Sequence, residues 1–180
     1  MFDEIDLQIM AIMQENAKTS NAEVARRIDM APSGVLERIR KLEERGIIKG
    51  YFPHLNAKAL GHGLLAFVFV KTDEMTGEPS TAQRLAQLPE VQEVHHVAGE
   101  DCYVAKVRTA DTEALGRLLR EKIGAIPSIR STRTTIVLET VKESMTLPLG
   151  GARFSVRGAR ESNEVSEHRA PNTEHRESVS

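Results

Sequence analysis

The chain has 180 residues, 40% of them apolar, with 24 basic against 26 acidic side chains and a net charge of −2. This allows one or two small domains with aliphatic cores, and it excludes nonspecific coating of nucleic acid while leaving room for a focused basic patch. The single cysteine, Cys102, excludes an internal disulfide framework.

Residues 5–16 are predicted as a first helix, with Asp3 or Asp6 near its N-terminus and Ile5, Ile9, Ile12 and Met13 facing inward. Ser20 followed by Glu23 has the spacing of a capping box, so a second helix starts at Asn21, with Ala22, Ala25 and Ile28 on its apolar face. Asp29-Met30-Ala31 interrupts that pattern. Pro32 suits the first turn of a third helix, where its missing N–H costs nothing. Val35, Ile39 and Leu42 recur at i, i+4 and i+7 as one stripe. Ser33, Gly34, Glu37, Arg38, Lys41 and Arg45 fall off the stripe. Gly46 ends the helix as a left-handed cap, and Ile47 to Tyr51 reads as a short strand or wing.

Charge is unevenly placed along this region. Residues 1–23 hold five acids against one Lys, whereas residues 24–50 hold seven basic residues against four acids. A helix with one narrow apolar face and a basic, polar opposite face can pack on its own domain and still offer side chains to the DNA major groove. Residues 1–51 are therefore read as a winged helix-turn-helix. Residues 52–61, with Pro53, Asn56 and Gly61, are read as an extended hinge.

From residue 62 the period changes. Leu64 to Val70 is a continuous apolar strand, dry on both faces. Ser80 to Leu88 is a short helix, Val91 to Ala98 a strand, Gly99 to Asp101 a tight turn and Cys102 to Arg108 a returning strand. Asp111 caps a helix to Ile123 with Ala114, Leu115, Leu118 and Leu119 inward, and Ile129 to Lys142 is the last strand. The order βαββαβ over residues 62–147 is the ferredoxin-like split unit, so the whole chain is α+β. Its helices cover one sheet face only, and the simplest cover for the other is the same sheet of a second copy, giving at least a homodimer. Residues 148–180 contain one Phe and few aliphatics, and are read as a disordered tail.

The opening MFDEID lacks the features of a signal peptide, and the longest apolar run is too short to span a bilayer, so a cytoplasmic protein with no membrane partner is expected. His95 and His96 are neighbours on a strand and point to opposite faces, His95 packed and His96 at an interface, so no metal site is expected. Cys102 lacks an activating signature for a nucleophile. No catalytic residue and no cofactor are assigned.

Taken together, DEIDLQIMAIMQENA, SNAEVARRIDMAPSGVLERIRKLEERGIIKGY, LPEVQEVHHVAGEDCYVAKVR and RTTIVLETVK resemble the Lrp/AsnC family of leucine-responsive and feast/famine regulators, over residues 2–148. The resemblance implies a sequence-specific, DNA-binding transcription regulator. Its double-stranded DNA contacts would fall on Ser33, Gly34, Glu37, Arg38 and Lys41, with Ser20, Asn21, Arg45 and Lys49 beside them. It implies a βαββαβ domain that senses a small effector, of which an amino acid is the expected class, and that assembles through dimers into tetramers or octamers. The implied effector site joins Gly99, Glu100, Asp101 and Cys102 of one chain to Thr134, Thr135, Ile136 and Val137 of another.

Two departures from the family pattern stand out. Ala31 replaces the usual Ser cap before Pro32, with Ser33 as a partial substitute. Cys102 stands where the family places a second acid, and Asp101, offset by one, would point to the other side of the strand. Two alternatives remain: a subunit resembling siroheme decarboxylase, although its arginine-rich stretch is missing from the folded part, and a metabolite sensor that does not read DNA.

Overall fold

Asp3 opens the first helix with a reciprocal capping box. Its carboxylate accepts from the Asp6 N–H at 2.9 Å, and its own N–H donates to the Asp6 carboxylate at 3.1 Å. The computed structural model describes residues 3–73 and 80–149. Helices α1 (Glu4–Glu15), α2 (Asn21–Arg27) and α3 (Pro32–Glu44) pack around Ile9, Ile12, Val24, Ala25, Val35 and Ile39. Two compact units result among the described residues, one holding those up to Ile48 with Leu147–Leu149, the other Lys49–Thr146.

Several local expectations change in the first unit. Ser20 caps α2 by accepting from the Glu23 N–H, but the Glu23 side chain turns to Arg26, so only half the box forms. The buried face of α2 is Val24, Ala25 and Ile28, while Ala22 is exposed. Asp29 makes the break between α2 and α3 at φ +54°, a left-handed conformation that Asp tolerates better than most residues. The start of α3 at Ala31 carries no side-chain cap, so Ser33 does not substitute there.

The end of α3 explains why residues 47–51 do not form a strand. Gly46, at φ +65°, donates to the Glu43 carbonyl at 2.8 Å, and Ile47 donates to Leu42 at 2.9 Å, the paired bonds of a Schellman motif. Ile48 donates to the same Leu42 carbonyl at 3.2 Å. These N–H groups are used on the helix end and are unavailable to a ladder.

In the second unit, β1 (Leu64–Thr72), β2 (Val91–His96), β3 (Tyr103–Thr109) and β4 (Ile129–Ile136) form one antiparallel sheet in the order β2-β3-β1-β4. Helices α4 (Ser80–Ala86) and α5 (Thr112–Arg117), the latter continued by a π-helical turn over Leu118–Ile123, supply the βαββαβ connectivity. Asp111 caps α5 by accepting from the Ala114 N–H at 2.7 Å. Ala66, Val68 and Val70 are fully buried and pack in one core with Leu85, Leu115, Leu118 and Ile123. On the opposite face Phe67 and Phe69 are half-buried, so β1 is dry on one side only within one chain.

The last strand is shorter than expected. It ends at Ile136, and the Val137 N–H donates once more, to the Leu65 carbonyl at 2.9 Å. β4 is an edge strand whose single partner is β1, and their ladder ends with Ile136 opposite Ala66, two residues short of the start of β1 at Leu64. Leu138, beyond that end, is 97% exposed. Apart from Pro148 and Leu149, which have no regular structure, the tail lies outside the described residues.

Candidate DNA-binding face and effector site

The stripe Val35, Ile39 and Leu42 is buried, and this orients the rest of α3. At about 100° per residue the outward face is then Ser33, Glu37, Arg40, Lys41 and Glu44, all of them exposed. Glu37 accepts from Arg40 at 2.7 Å and pairs with Lys41 at 3.4 Å, and Arg40 also pairs with Glu44. Hydrogen bonding from Arg40, helped by Lys41, lowers the Glu37 pKa to about 2, so this carboxylate is ionised at neutral pH. Arg40 was missed in the sequence, although its position two turns from the start of α3 and opposite the stripe could have marked it.

Arg38 behaves differently from its assignment as a groove-facing residue. It sits on the flank of α3, and its Nη1 donates to Asp6 at 2.7 Å and to Asp3 at 2.9 Å. These two carboxylates hold its pKa above the ordinary value. The guanidinium is thus committed to the first turn of α1. Gly34 is half-buried, while Ser20, Ser33, Arg45 and Lys49 are exposed and Asn21 is half-buried.

On the second unit, the turn from Gly99 to Cys102 is pinned at both ends. The Val97 N–H donates to the Cys102 carbonyl at 3.0 Å, and the Cys102 N–H donates to Val70 at 2.9 Å. Gly99 has φ +144°, and a Cβ there would meet nothing within 4 Å, so glycine is needed for the backbone and not for space. Asp101 precedes β3 and is not part of the strand, so strand alternation does not govern it. Its carboxylate accepts from Arg133 Nη2 of β4 at 2.9 Å. The Arg133 guanidinium lies 4.0 Å from the centroid of the Phe69 ring. Arg133 was not singled out in the sequence, and only the β1–β4 register, which sets it beside Phe69, reveals it.

Thr134 follows Arg133 on β4, and Thr135 to Val137 run on away from the turn. Thr135 pairs with Phe67, and Val137 bonds to Leu65 at the far end of β1. Val137 is roughly 13 Å along β4 from Arg133, at about 3.3 Å per residue. It lines a groove of about 320 Å³ with Leu65, Phe67, Lys106 and Glu143. There Lys106 and Arg108 both pair with Glu143, and Lys106 also with Glu93. Burial opposes the Lys106 charge, but Glu143 and Glu93 outweigh it and hold the ammonium above its usual pKa. One chain therefore does not bring the two halves of the expected effector site together.

His95 is exposed against Glu93, not packed, and His96 lies by the Tyr103 ring on the other face. Among the described residues no group of three or more His, Cys, Asp or Glu could hold a metal ion, and no helix is long and apolar enough to cross a membrane.

Residues 2–49 match the model of a winged helix-turn-helix DNA-binding domain, and residues 65–147 match that of the Lrp/AsnC ligand binding domain. The chain belongs to the Lrp/AsnC family. This Lrp/AsnC protein is 40% identical over 148 residues to the HTH-type transcriptional regulator FL11 of Pyrococcus horikoshii, spanning 82% of the chain and 96% of that protein. It is 36% identical over 146 residues to the leucine-responsive regulatory protein of Escherichia coli, spanning 79% of the chain and 88% of that protein. Among solved structures it resembles E. coli AsnC, with a TM-score of 0.76 at 30% identity, over 82% of this chain and 99% of that one. It also resembles the Neisseria meningitidis regulator NMB0573, solved as an L-Met complex, with a TM-score of 0.78 at 26% identity, over 83% and 98% of the two chains. The relatives are transcriptional regulators, so this Lrp/AsnC chain is a DNA-binding regulator and not a decarboxylase subunit or a sensor without DNA binding.

Proposed function

We propose that this regulator reads a specific DNA sequence through α3, and that an amino acid bound to its second unit changes its assembly or its grip on DNA. The observation that carries the DNA reading is the buried stripe of α3, which leaves Ser33, Glu37, Arg40 and Lys41 outward. The proposed contacts are Ser33, Gly34, Glu37 and Lys41 of the original set, with Ser20, Asn21, Arg45 and Lys49 flanking and Arg40 added. Arg38 positions α3 against α1. Lysine and arginine on such a face neutralise phosphates, while Glu37 can accept from a cytosine amino group.

The effector site is proposed to be shared, with Gly99, Glu100, Asp101 and Cys102 from one copy and Thr134, Thr135, Ile136 and Val137 from another. Self-association into dimers and larger assemblies is part of the proposal. Two features support it: the sheet face without helices exposes part of Phe67 and Phe69, and Leu138, Val141 and Met145 are each more than 90% exposed. The amino-acid class draws support from the L-Met complex of the Neisseria regulator. The test is fluorescence anisotropy with the DNA upstream of the protein's own gene and with a scrambled control, each with and without the common amino acids. Preference for the natural fragment, altered by at least one amino acid, supports the reading. Equal affinity for both fragments contradicts sequence specificity, and insensitivity to every amino acid contradicts the effector class.

A further inference from the structure

Gln14 stands in the last turn of α1, and its carboxamide holds the backbone of Leu147, 133 residues away. The Leu147 N–H donates to Gln14 Oε1 at 2.7 Å, and Gln14 Nε2 donates to the Leu147 carbonyl at 3.2 Å. A carboxamide carries an acceptor and a donor side by side. An extended residue turns its own N–H and C=O to one side, as in the doubly bonded pairs of an antiparallel ladder. Pro148 follows Leu147, and the residue before a proline is held extended. Leu147 is thus prepared for this two-point contact.

The contact builds the first unit from two stretches of chain, so the second unit is joined to it twice, after Ile48 and before Leu147. The second junction is short. Four residues before Leu147, Glu143 pairs with Lys106 and, at 2.9 Å, with Arg108, and these two cationic side chains are only 14% and 16% exposed. Glu93 holds Lys106 as well, at 3.1 Å. A shielded cluster of this kind is a firmer anchor than an exposed pair. Four residue steps reach about 14 Å at most, so a larger shift of either anchor must break the other.

Each anchor leads to a functional element. Glu15, next to Gln14, pairs with Arg27 of α2 at 2.9 Å, and the other end of α1 holds Arg38 of α3 through Asp6 at 2.7 Å. Lys106 and Arg108 stand opposite Phe67 and Leu65 in the β1–β3 register, on the sheet face assigned above to a second copy.

We infer that residues 143–147 form a strap that couples the state of the second unit to DNA binding, with Gln14 as the positioning residue that fastens it to the DNA-binding unit. Pairing with a second copy changes the surroundings of Lys106 and Arg108. A shift of Glu143 there draws on Leu147, and Leu147 draws on α1. This rests on the reading of DNA through α3 and needs no effector. Coupling free energy is reciprocal, so DNA on α3 acts back on the strap.

The test is a double-mutant cycle in the full chain: wild type, Gln14→Ala, Glu143→Gln and the double variant. Fluorescence anisotropy gives the affinity for the DNA upstream of the protein's own gene, and NMR hydrogen exchange follows the Leu147 amide. A strap cut at one end gains nothing from a second cut. Each single variant should change the affinity by a similar factor, on the order of threefold to tenfold, in the same direction. The double variant should change it by no more than either. The Leu147 amide should exchange faster in both single variants. Gln14→Met removes both bonds at similar length without changing charge, so it should match Gln14→Ala and takes its place if that variant unfolds. An effect of charge or assembly alone would persist in the Gln14→Ala background. Effects that multiply in the double variant, or single variants that bind as the wild type does, overturn the strap while the DNA reading stands. If the wild type does not bind the fragment, both fall.

Discussion

Arg38 and Asp6 stand 32 residues apart and meet at 2.7 Å, joining the flank of α3 to the first turn of α1. Asp6 is a buried residue, and the Arg38 side chain is 29% exposed. Arg38→Ala leaves the Asp6 carboxylate without its cation in a largely dry place. A charged hydrogen bond contributes about 1.5–3 kcal/mol, and the remaining exposure of Arg38 discounts this to about 1–2 kcal/mol. Chemical denaturation of the variant should show that loss. The salt dependence of DNA binding should stay unchanged once the protein is folded. A reduced slope would mean that Arg38 also meets phosphate.

The same tie makes a pH prediction. The Asp6 N–H, and then Arg38, hold the Asp3 pKa below its ordinary value of 3.8. A carboxyl with a lowered folded pKa contributes stability that is complete above its unfolded pKa and is lost as pH falls through the folded one. Stability should therefore fall more steeply below about pH 4 in the wild type than in Asp3→Asn. Parallel curves below that pH would argue that the interaction is too solvated to matter.

Arg40 and Lys41 hold the Glu37 pKa at about 2, so this carboxylate is charged at neutral pH and stays charged well into acid. On a face turned to DNA it repels phosphate wherever it does not meet a base donor. Glu37→Gln should raise affinity for scrambled DNA and narrow the preference for the natural fragment. Competition binding measures both, and a variant with unchanged preference would remove Glu37 from the reading set.

Gly46 closes α3 at φ +65°, with open space where a Cβ would stand. Gly46→Ala therefore costs backbone strain alone, about 1 kcal/mol, and Gly46→Asn less. Equal stability of all three proteins would contradict the left-handed closure.

The parts read correctly from residues are those governed by local chemistry. Ser20, Pro32, Gly46 and Asp111 mark helix ends because capping is decided within a few residues. The βαββαβ order follows from periodicity. What escaped the sequence depends on tertiary neighbours. β4 stops at Ile136, opposite Ala66 near the start of β1, and residues 47–51 fail as a strand because Ile47 and Ile48 bond back to Leu42. Arg38 looked available to DNA because Asp3 and Asp6 come to it only through helix packing. Arg133 was invisible for the same reason, since strand register alone sets it against Phe69.

The central claim is that the outward face of α3 meets the DNA backbone and bases. Its most direct test is the salt dependence of affinity for the natural upstream fragment, compared between wild type, Lys41→Ala and Arg40→Ala. Each phosphate contact removed should lower the slope of log affinity against log salt by about 0.9, with folding unchanged because both side chains are exposed. Slopes equal to that of the wild type in both variants would contradict the assignment of α3 as the reading helix.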